Sequence, residues 1–426
     1  MPSKQDQLKK HLKDIAVKAK EASRSLADAG TDQKNKLLQE IANKLESKES
    51  RQAIAEANAK DLELGEKAKL SHALLDRLEL NKKRMTSMVQ GVQRLIELPD
   101  PVGEVIKGWE QSQGVQLQKV RVPIGVIGII FESRPNVTVD ASTLCLKTGN
   151  VTILRGGKEA FYSNQALGKL IGEAAKACGF PQEVVTVLPT TDREAVPILC
   201  EMHEQIDLMI PRGGHGLIKK VVEHSRMPVI KHYDGICHVY VHQDAVLKMA
   251  REIVLNAKLQ RPGVCNAMET LLIDATVAKK LGKKLIDALL EKGVELFADR
   301  QTNKALETKF KAPSSWSTEY LDLKAGLRVV EGLDQAIAHI EKYGSHHSDT
   351  IVTENEQAAE TFLQKVDSAA VYWNVSTRFT DGAAFGFGAE IGISTDKIHA
   401  RGPMALEELT SYKYVGRGKG QIIKSG

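Results

Sequence analysis

Apolar residues recur three and four apart through the start of the chain. Leu8, Leu12, Ile15, Ala19, Ala22 and Leu26 trace one stripe, the spacing of an amphipathic helix. Gly30 stops that helix, Thr31 or Asp32 is placed to cap the next, and Leu37, Ile41 and Leu45 carry the pattern on. A coiled coil shares the spacing, but the many alanines and the early stop weigh against it. The break Leu98-Pro99-Asp100-Pro101-Val102-Gly103 leads into 115–122, where apolar and polar residues partly alternate as in an exposed strand. The turn-rich stretch 108–114 suits a hairpin, whose unpaired edge needs a partner.

From 125 to 241 short apolar runs (125–131, 151–154, 184–188, 208–210, 228–230 and 239–241) alternate with helical patterns. The segment 164–178 is amphipathic up to Gly179. Strands alternating with helices predict an α/β fold with a parallel sheet. Gly125-x-x-Gly128 is not the G-x-G-x-x-G fingerprint, so a standard Rossmann phosphate loop is not supported. A second α/β section follows, with apolar runs at 270–273, 327–330, 350–352 and 369–373 and helical patterns at 277–290 and 334–343. The glycine-rich stretch 379–388 marks backbone that turns tightly or approaches something closely. Residues 409–415 read as one more strand.

Composition narrows the class. A chain of 426 residues exceeds what one core organises, so two or three domains are expected. An apolar fraction of 42% and a charged fraction of 27% belong to an ordinary folded protein. Net charge is +5, and Asp6, Asp14, Glu21, Asp28 and Glu40 interleave with the N-terminal lysines. That mixture is a solvated helix face and not a nucleic-acid tail. The five cysteines are scattered, without C-x-x-C and without histidines at ligand spacing, which predicts a reducing compartment and no metal site. The first residues carry no apolar stretch, so no signal peptide is read. The longest apolar run, near 122–131, is about half of a membrane span. A cytoplasmic enzyme without membrane contact is the expectation.

Two segments suggest chemistry. In Lys258-Leu259-Gln260-Arg261-Pro262-Gly263-Val264-Cys265-Asn266-Ala267-Met268-Glu269-Thr270 a helix stops at Arg-Pro-Gly and one cysteine follows at the turn. In Val122-Pro123-Ile124-Gly125-Val126-Ile127-Gly128-Ile129-Ile130-Phe131-Glu132-Ser133-Arg134-Pro135-Asn136 a buried strand ends in a polar elbow that carries an amide. A thiol nucleophile and a hydrogen-bond donor are the minimum for acyl transfer through a thioester.

Six segments in order resemble the aldehyde dehydrogenase superfamily, and within it the reductases that act on glutamyl phosphate. They are the elbow 131–136, Leu154-Arg155-Gly156-Gly157-Lys158-Glu159-Ala160, Ile210-Pro211-Arg212-Gly213-Gly214, Arg261-Pro262-Gly263-Val264-Cys265-Asn266, Trp373-Asn374-Val375-Ser376-Thr377-Arg378-Phe379, and Glu390-Ile391-Gly392-Ile393-Ser394 with His399-Ala400-Arg401-Gly402-Pro403. The resemblance runs from about 125 to 415. It implies Cys265 as nucleophile and Asn136 as oxyanion donor, with Arg155, Lys158, Gly213, Gly214 and Glu319 at the dinucleotide. Arg155 with Lys158 would favour NADP through its 2′-phosphate, although a solvated surface pair reads nearly as well. Arg134, Arg378 and Arg401 are the candidates for the substrate phosphate, since a guanidinium grips phosphate through two parallel hydrogen bonds. Ser345, His346 and His347 are placed at the substrate pocket.

The architecture implied is two open α/β domains plus a small β oligomerisation element. Residues 1–104 and 123–256 would form the cofactor-binding domain and 257–375 the catalytic domain. Residues 105–122 and 405–426 would form the oligomerisation element, and 376–404 would return to the cofactor domain. The implied reaction is reduction of L-glutamyl 5-phosphate by NADPH, in a homo-oligomer that could receive its substrate from glutamate 5-kinase. Hydrolytic members of the superfamily carry a water-activating glutamate in Glu-x-Gly-Gly, where this chain has Lys231-His232-Tyr233-Asp234-Gly235. His232 or Asp234 could still serve as a base. The rival readings are an NAD-dependent hydrolytic semialdehyde dehydrogenase, which needs that base, and a catalytically silent scaffold or nucleic-acid binder, which needs a clustered basic stripe.

Overall fold

Ser3 opens the first helix, Lys4–Ala27, with a reciprocal cap. Its hydroxyl accepts the Asp6 N–H at 3.1 Å and the Asp6 carboxylate accepts the Ser3 N–H at 3.0 Å. Leu12, Ala16, Ala19, Ala22 and Leu26 are its buried face. Gly30, rather than Thr31 or Asp32, caps the next helix, Thr31–Glu46, because the Gln33 side chain reaches back to the Gly30 N–H at 3.0 Å. A buried ion pair, Lys34 to Asp100 at 2.5 Å, ties that helix to the break after Leu98.

The computed structural model describes residues 3–423. In chain order the strands are β1 (Val105–Glu110), β2 (Gln116–Pro123), β3 (Val126–Phe131), β4 (Val151–Arg155), β5 (Val185–Val187), β6 (Leu208–Arg212), β7 (Cys237–Val241) and β8 (Met268–Asp274). There follow β9 (Glu295–Ala298), β10 (Lys324–Val330), β11 (Ser348–Val352), β12 (Ala370–Trp373), β13 (Gly392–Ser394), β14 (Gly402–Met404) and β15 (Thr410–Arg417).

Two compact units emerge. The first runs to Lys231 and takes in Phe387–Gly392 and the chain from Met404 onward. It holds a parallel sheet in the order β5-β4-β3-β6 and an antiparallel sheet in the order β1-β2-β15. β3 is buried along its whole length, as the continuous apolar run predicts. The expected strand at 228–230 is only a bridge, Val229 to Met209.

The second unit comprises His232–Gly386 and Ile393–Pro403. Its six-stranded parallel sheet has the order β12-β11-β7-β8-β10-β9. The boundary expected at 256/257 therefore falls earlier, after Lys231. β7 lies between β11 and β8, and Ala250, Val254 and Ala257 of the helix Leu247–Leu259 share a core with Leu271 and Leu327. Residues 376–386 and 393–403, expected to return to the first domain, also count with the second. Of the residues expected to form the oligomerisation element, those in β1, β2 and β15 make one antiparallel sheet that counts with the first unit; residues 1, 2 and 424–426 lie outside the described residues.

Candidate active site

In the second unit the chain leaves the helix Leu247–Leu259, turns through Arg261-Pro262-Gly263 and enters β8. Cys265 sits on that turn, half-buried, with the Ala267 N–H closing onto the Val264 carbonyl at 3.1 Å. Proline and glycine end the helix because one lacks an N–H and the other frees the backbone.

The turn is held on two sides. Asn266 donates its side-chain amide to the Thr380 carbonyl at 2.8 Å and accepts the Thr377 hydroxyl on its own carbonyl at 2.7 Å. Opposite, the main chain of Gly235 packs so closely on the main chain of Cys265 that a Cβ at 235 would overlap its carbonyl and Cα. Gly235 donates its N–H to Glu319 Oε1 at 2.8 Å, and Ile236 donates its N–H to Ser345 Oγ at 2.8 Å. Glu319 and Ser345 thus brace the loop against Cys265. Burial raises the Glu319 carboxyl, opposed by the Gly235 N–H, while Asp234 raises it further.

A second thiol, Cys237, donates to the Cys265 carbonyl at 3.2 Å. It is fully buried, and burial pushes it well above the ordinary thiol range, so it is inert as a nucleophile. His347 lies 3.7 Å from the Cys237 sulfur; burial, reinforced by His232, lowers it to about 3 and keeps it neutral. His232 directs Nδ1 to the Ile393 carbonyl at 2.7 Å. A carbonyl only accepts, so Nδ1 carries the proton in that bond.

The arginines part company. Arg378 donates Nε to Gln260 at 2.8 Å and lies within electrostatic reach of Cys265; burial lowers its guanidinium, and the Asp381 and Cys265 charges oppose that. Arg401 instead grips Asp367, donating Nη1 to Oδ1 at 2.7 Å and Nη2 to the carbonyl at 2.8 Å. His346, in the left-handed region at φ 57°, turns Nδ1 to the same Asp367 carbonyl at 2.7 Å. Lys397 and Arg401 hold the Asp367 carboxyl down at about 2. Arg401 and His346 therefore form one cluster of their own and Arg378 and Ser345 belong to the Cys265 neighbourhood.

In the first unit the elbow after β3 turns at Ser133, where φ is 36°. Both its N–H and its hydroxyl donate to Glu159 Oε1, at 2.9 and 2.5 Å. Arg134 is exposed, and Asn136 opens the helix Asn136–Lys147. The Asn136 amide donates Nδ2 to Asp140 Oδ2 at 2.8 Å.

Arg155 ends β4 buried, its guanidinium donating to the Gly156 and Thr191 carbonyls at 3.1 and 3.2 Å; Lys158 is exposed. Gly213 and Gly214 precede the helix His215–His224. The Gly214 N–H already donates to an anionic oxygen, Glu132 Oε2, at 3.1 Å, and a Cβ at Gly214 would face open space. An exposed N–H at a helix start that takes a carboxylate suits a dinucleotide phosphate. The residues present fit that group. Among the described residues no group of three or more His, Cys, Asp or Glu side chains could hold a metal ion.

Sequence reasoning missed Asp140, Glu159 and Cys237. Asp140 could have been found from its place four residues beyond Asn136, one helical turn away. The other two act through tertiary proximity alone.

Residues 4–303 match the model of the aldehyde dehydrogenase family. The gamma-glutamyl phosphate reductase of Moorella thermoacetica is 55% identical over 406 residues, covering 95% of this chain and 97% of that protein. That of Halothermothrix orenii is 52% identical over 96% of this chain and 97% of its own length. The crystal structure of the gamma-glutamyl phosphate reductase from Thermotoga maritima superposes with a TM-score of 0.95 at 45% identity, over 97% of this chain and all of that one. An acetylating aldehyde dehydrogenase from Geobacillus thermoglucosidasius, 15% identical with a TM-score of 0.71 over the whole of both chains, shares the fold. The chain is an oxidoreductase of the aldehyde dehydrogenase family.

Proposed function

We propose that the chain reduces L-glutamyl 5-phosphate to L-glutamate 5-semialdehyde with NADPH, the reductive step toward proline from glutamate. The observation that carries this reading is the Cys265 turn, a half-buried thiol braced by Gly235 and Asn266 with Arg378 in electrostatic reach. The relatives' names supply the substrate.

Cys265 attacks as thiolate on the acyl carbon, the C–O bond to phosphate breaks, and inorganic phosphate leaves. The oxyanion accepts from the Cys265 N–H, and the family resemblance assigns its side-chain donor to Asn136. A reduced nicotinamide, when bound, supplies the hydride that turns the thioester into a hemithioacetal. Collapse of that alkoxide restores the carbonyl and returns Cys265 as thiolate, so no base has to activate water. The stretch 231–238, which corresponds to the Glu-x-Gly-Gly segment of hydrolytic relatives, carries no glutamate, and this suits a site that keeps its thioester from hydrolysis. Gly213, Gly214, Arg155, Lys158 and Glu319 serve the dinucleotide. Arg378 and Ser345, beside the Cys265 turn, serve the substrate with Arg134, and Arg401 and His346, whose bonds go to Asp367, would reach it only by giving up those bonds. A kinase that makes the labile acyl phosphate precedes this enzyme and is its natural contact. The protein works in the cytoplasm as a homo-oligomer; among the described residues no helix is long and apolar enough to cross a membrane.

The reaction run backwards tests this. Glutamate semialdehyde and NADP should yield reduced cofactor only with phosphate present, and Cys265→Ala should abolish it. Turnover indifferent to phosphate would make water the acyl acceptor and favour the hydrolytic reading.

A further inference from the structure

We infer that Asp140 is a positioning residue that orients the Asn136 amide, an inference that rests on the oxyanion role proposed for Asn136. An asparagine amide presents a donor on one side and an acceptor on the other, and only the donor can stabilise an oxyanion. Asn136 stands at the first residue of its helix, where neighbours select the orientation. Asp140, one turn further on, accepts Nδ2 on Oδ2 at 2.8 Å. An ionised carboxylate only accepts, so it holds the nitrogen and rejects the oxygen. Nδ2 has two hydrogens; one goes to Asp140 and the other remains for a ligand.

The backbone that leads into Asn136 is held as well. Glu159 takes both the N–H and the hydroxyl of Ser133 at the positive-φ elbow. Behind Asn136 the helix is anchored by buried Thr138, Val139, Ala141 and Ser142. The side chain is therefore the last freedom left, and Asp140 removes it. Asp140 is an awkward residue for stability alone. Burial raises its carboxyl to about 6, against the opposing pull of the Asn136 hydrogen bond. A poorly solvated carboxylate facing a functional amide is the pattern expected of a site and not of a scaffold.

A double-mutant cycle on the full chain decides it, with Asn136→Ala, Asp140→Ala, the pair together, and Asp140→Asn, all assayed in the reverse reaction with phosphate. Asn136→Ala should lower kcat by about 10²-fold. Asp140→Ala should lower it by about ten-fold with KM changed less than two-fold, because a misoriented donor costs rate more than binding. Asp140→Asn, which can accept from Nδ2 but can also donate to the oxygen of a flipped Asn136 amide, should recover only part of that loss. In the Asn136→Ala background Asp140→Ala should have no further effect. Alkylation of Cys265 by iodoacetamide should proceed at the wild-type rate in every variant, showing an intact nucleophile. The same ten-fold loss in the Asn136→Ala background would show Asp140 acting through the fold and overturn the inference. So would an unchanged kcat in Asp140→Ala beside an impaired Asn136→Ala. An unchanged kcat in Asn136→Ala would refute the oxyanion role itself, and this inference with it.

Discussion

Gly235 lacks a side chain because the main chain of Cys265 occupies the space a Cβ would need. The overlap is with backbone, so no rotamer change relieves it. Gly235→Ala must push the Cys265 turn or the 232–236 loop aside, and it also strains the N–H bond to Glu319. A nucleophile displaced by about 1 Å loses about 10²-fold in rate. We expect kcat to fall by that factor and the rate of Cys265 alkylation to change with it. A variant with wild-type kcat would mean that the loop moves without disturbing the thiol. The turn at Cys265 was legible in the sequence because Arg-Pro-Gly announces it, and the elbow before Asn136 because a buried strand runs into polar residues. Glu319 also braces Gly235, a contact across 84 residues that no local pattern encodes.

At the scale of elements, the second unit carries neutral histidines in its core. His339, on the helix Gly332–Tyr343, meets the rings of His238, Trp316 and Tyr343 at 5.3, 5.3 and 4.8 Å and accepts from Arg328 at 2.6 Å. Burial, with the His238 and Arg328 charges adding to it, lowers His339 to about 2; burial also lowers His347, to about 3. Both start from 6.5 in the unfolded chain, which therefore binds more protons below that value. Stability contributed by the neutral state is full above pH 6.5 and declines as pH falls toward 3. At pH 5.5 each histidine costs about 1.4 kcal/mol relative to pH 8. Glu269 and Asp140, raised by burial to about 7 and about 6, act in the opposite sense. The readout is therefore the difference between wild type and His339→Gln or His347→Gln in urea midpoint at pH 8 and 5.5. Each variant should lose less stability on acidification than wild type does. Equal losses would mean that these rings admit a proton in the folded state. The parallel sheet was legible from its apolar runs, but its strand order was not. β7 precedes Cys265 by one helix and a turn, so its membership in the second sheet is a fact of pairing and not of sequence position.

For the molecule as a whole, the β1-β2-β15 sheet was legible from partial alternation in β2 and from the strand pattern at 409–415, though not the aromatic cluster that the sheet assembles. Trp109 meets Tyr414 at 6.1 Å, Tyr412 meets Tyr414 at 5.8 Å, and Lys119 sits over the Tyr412 ring at 3.6 Å. Tyr412 and Tyr414 are two apart on the outer strand, so they share a face, and they are 48% and 62% exposed. β15 is paired only to β2 among the described residues, which leaves a strand edge beside an aromatic surface. Such an edge is usually blunted or covered, and aromatic side chains are the commonest anchors of an interface core. If subunits assemble through this sheet, Tyr412→Glu with Tyr414→Glu should convert the oligomer to a smaller species in light scattering, with the far-ultraviolet dichroism unchanged. Neither residue lies on the parallel sheets, so a fold defect would show separately as lost dichroism. An unchanged mass for the folded double variant would move the subunit contact to another surface.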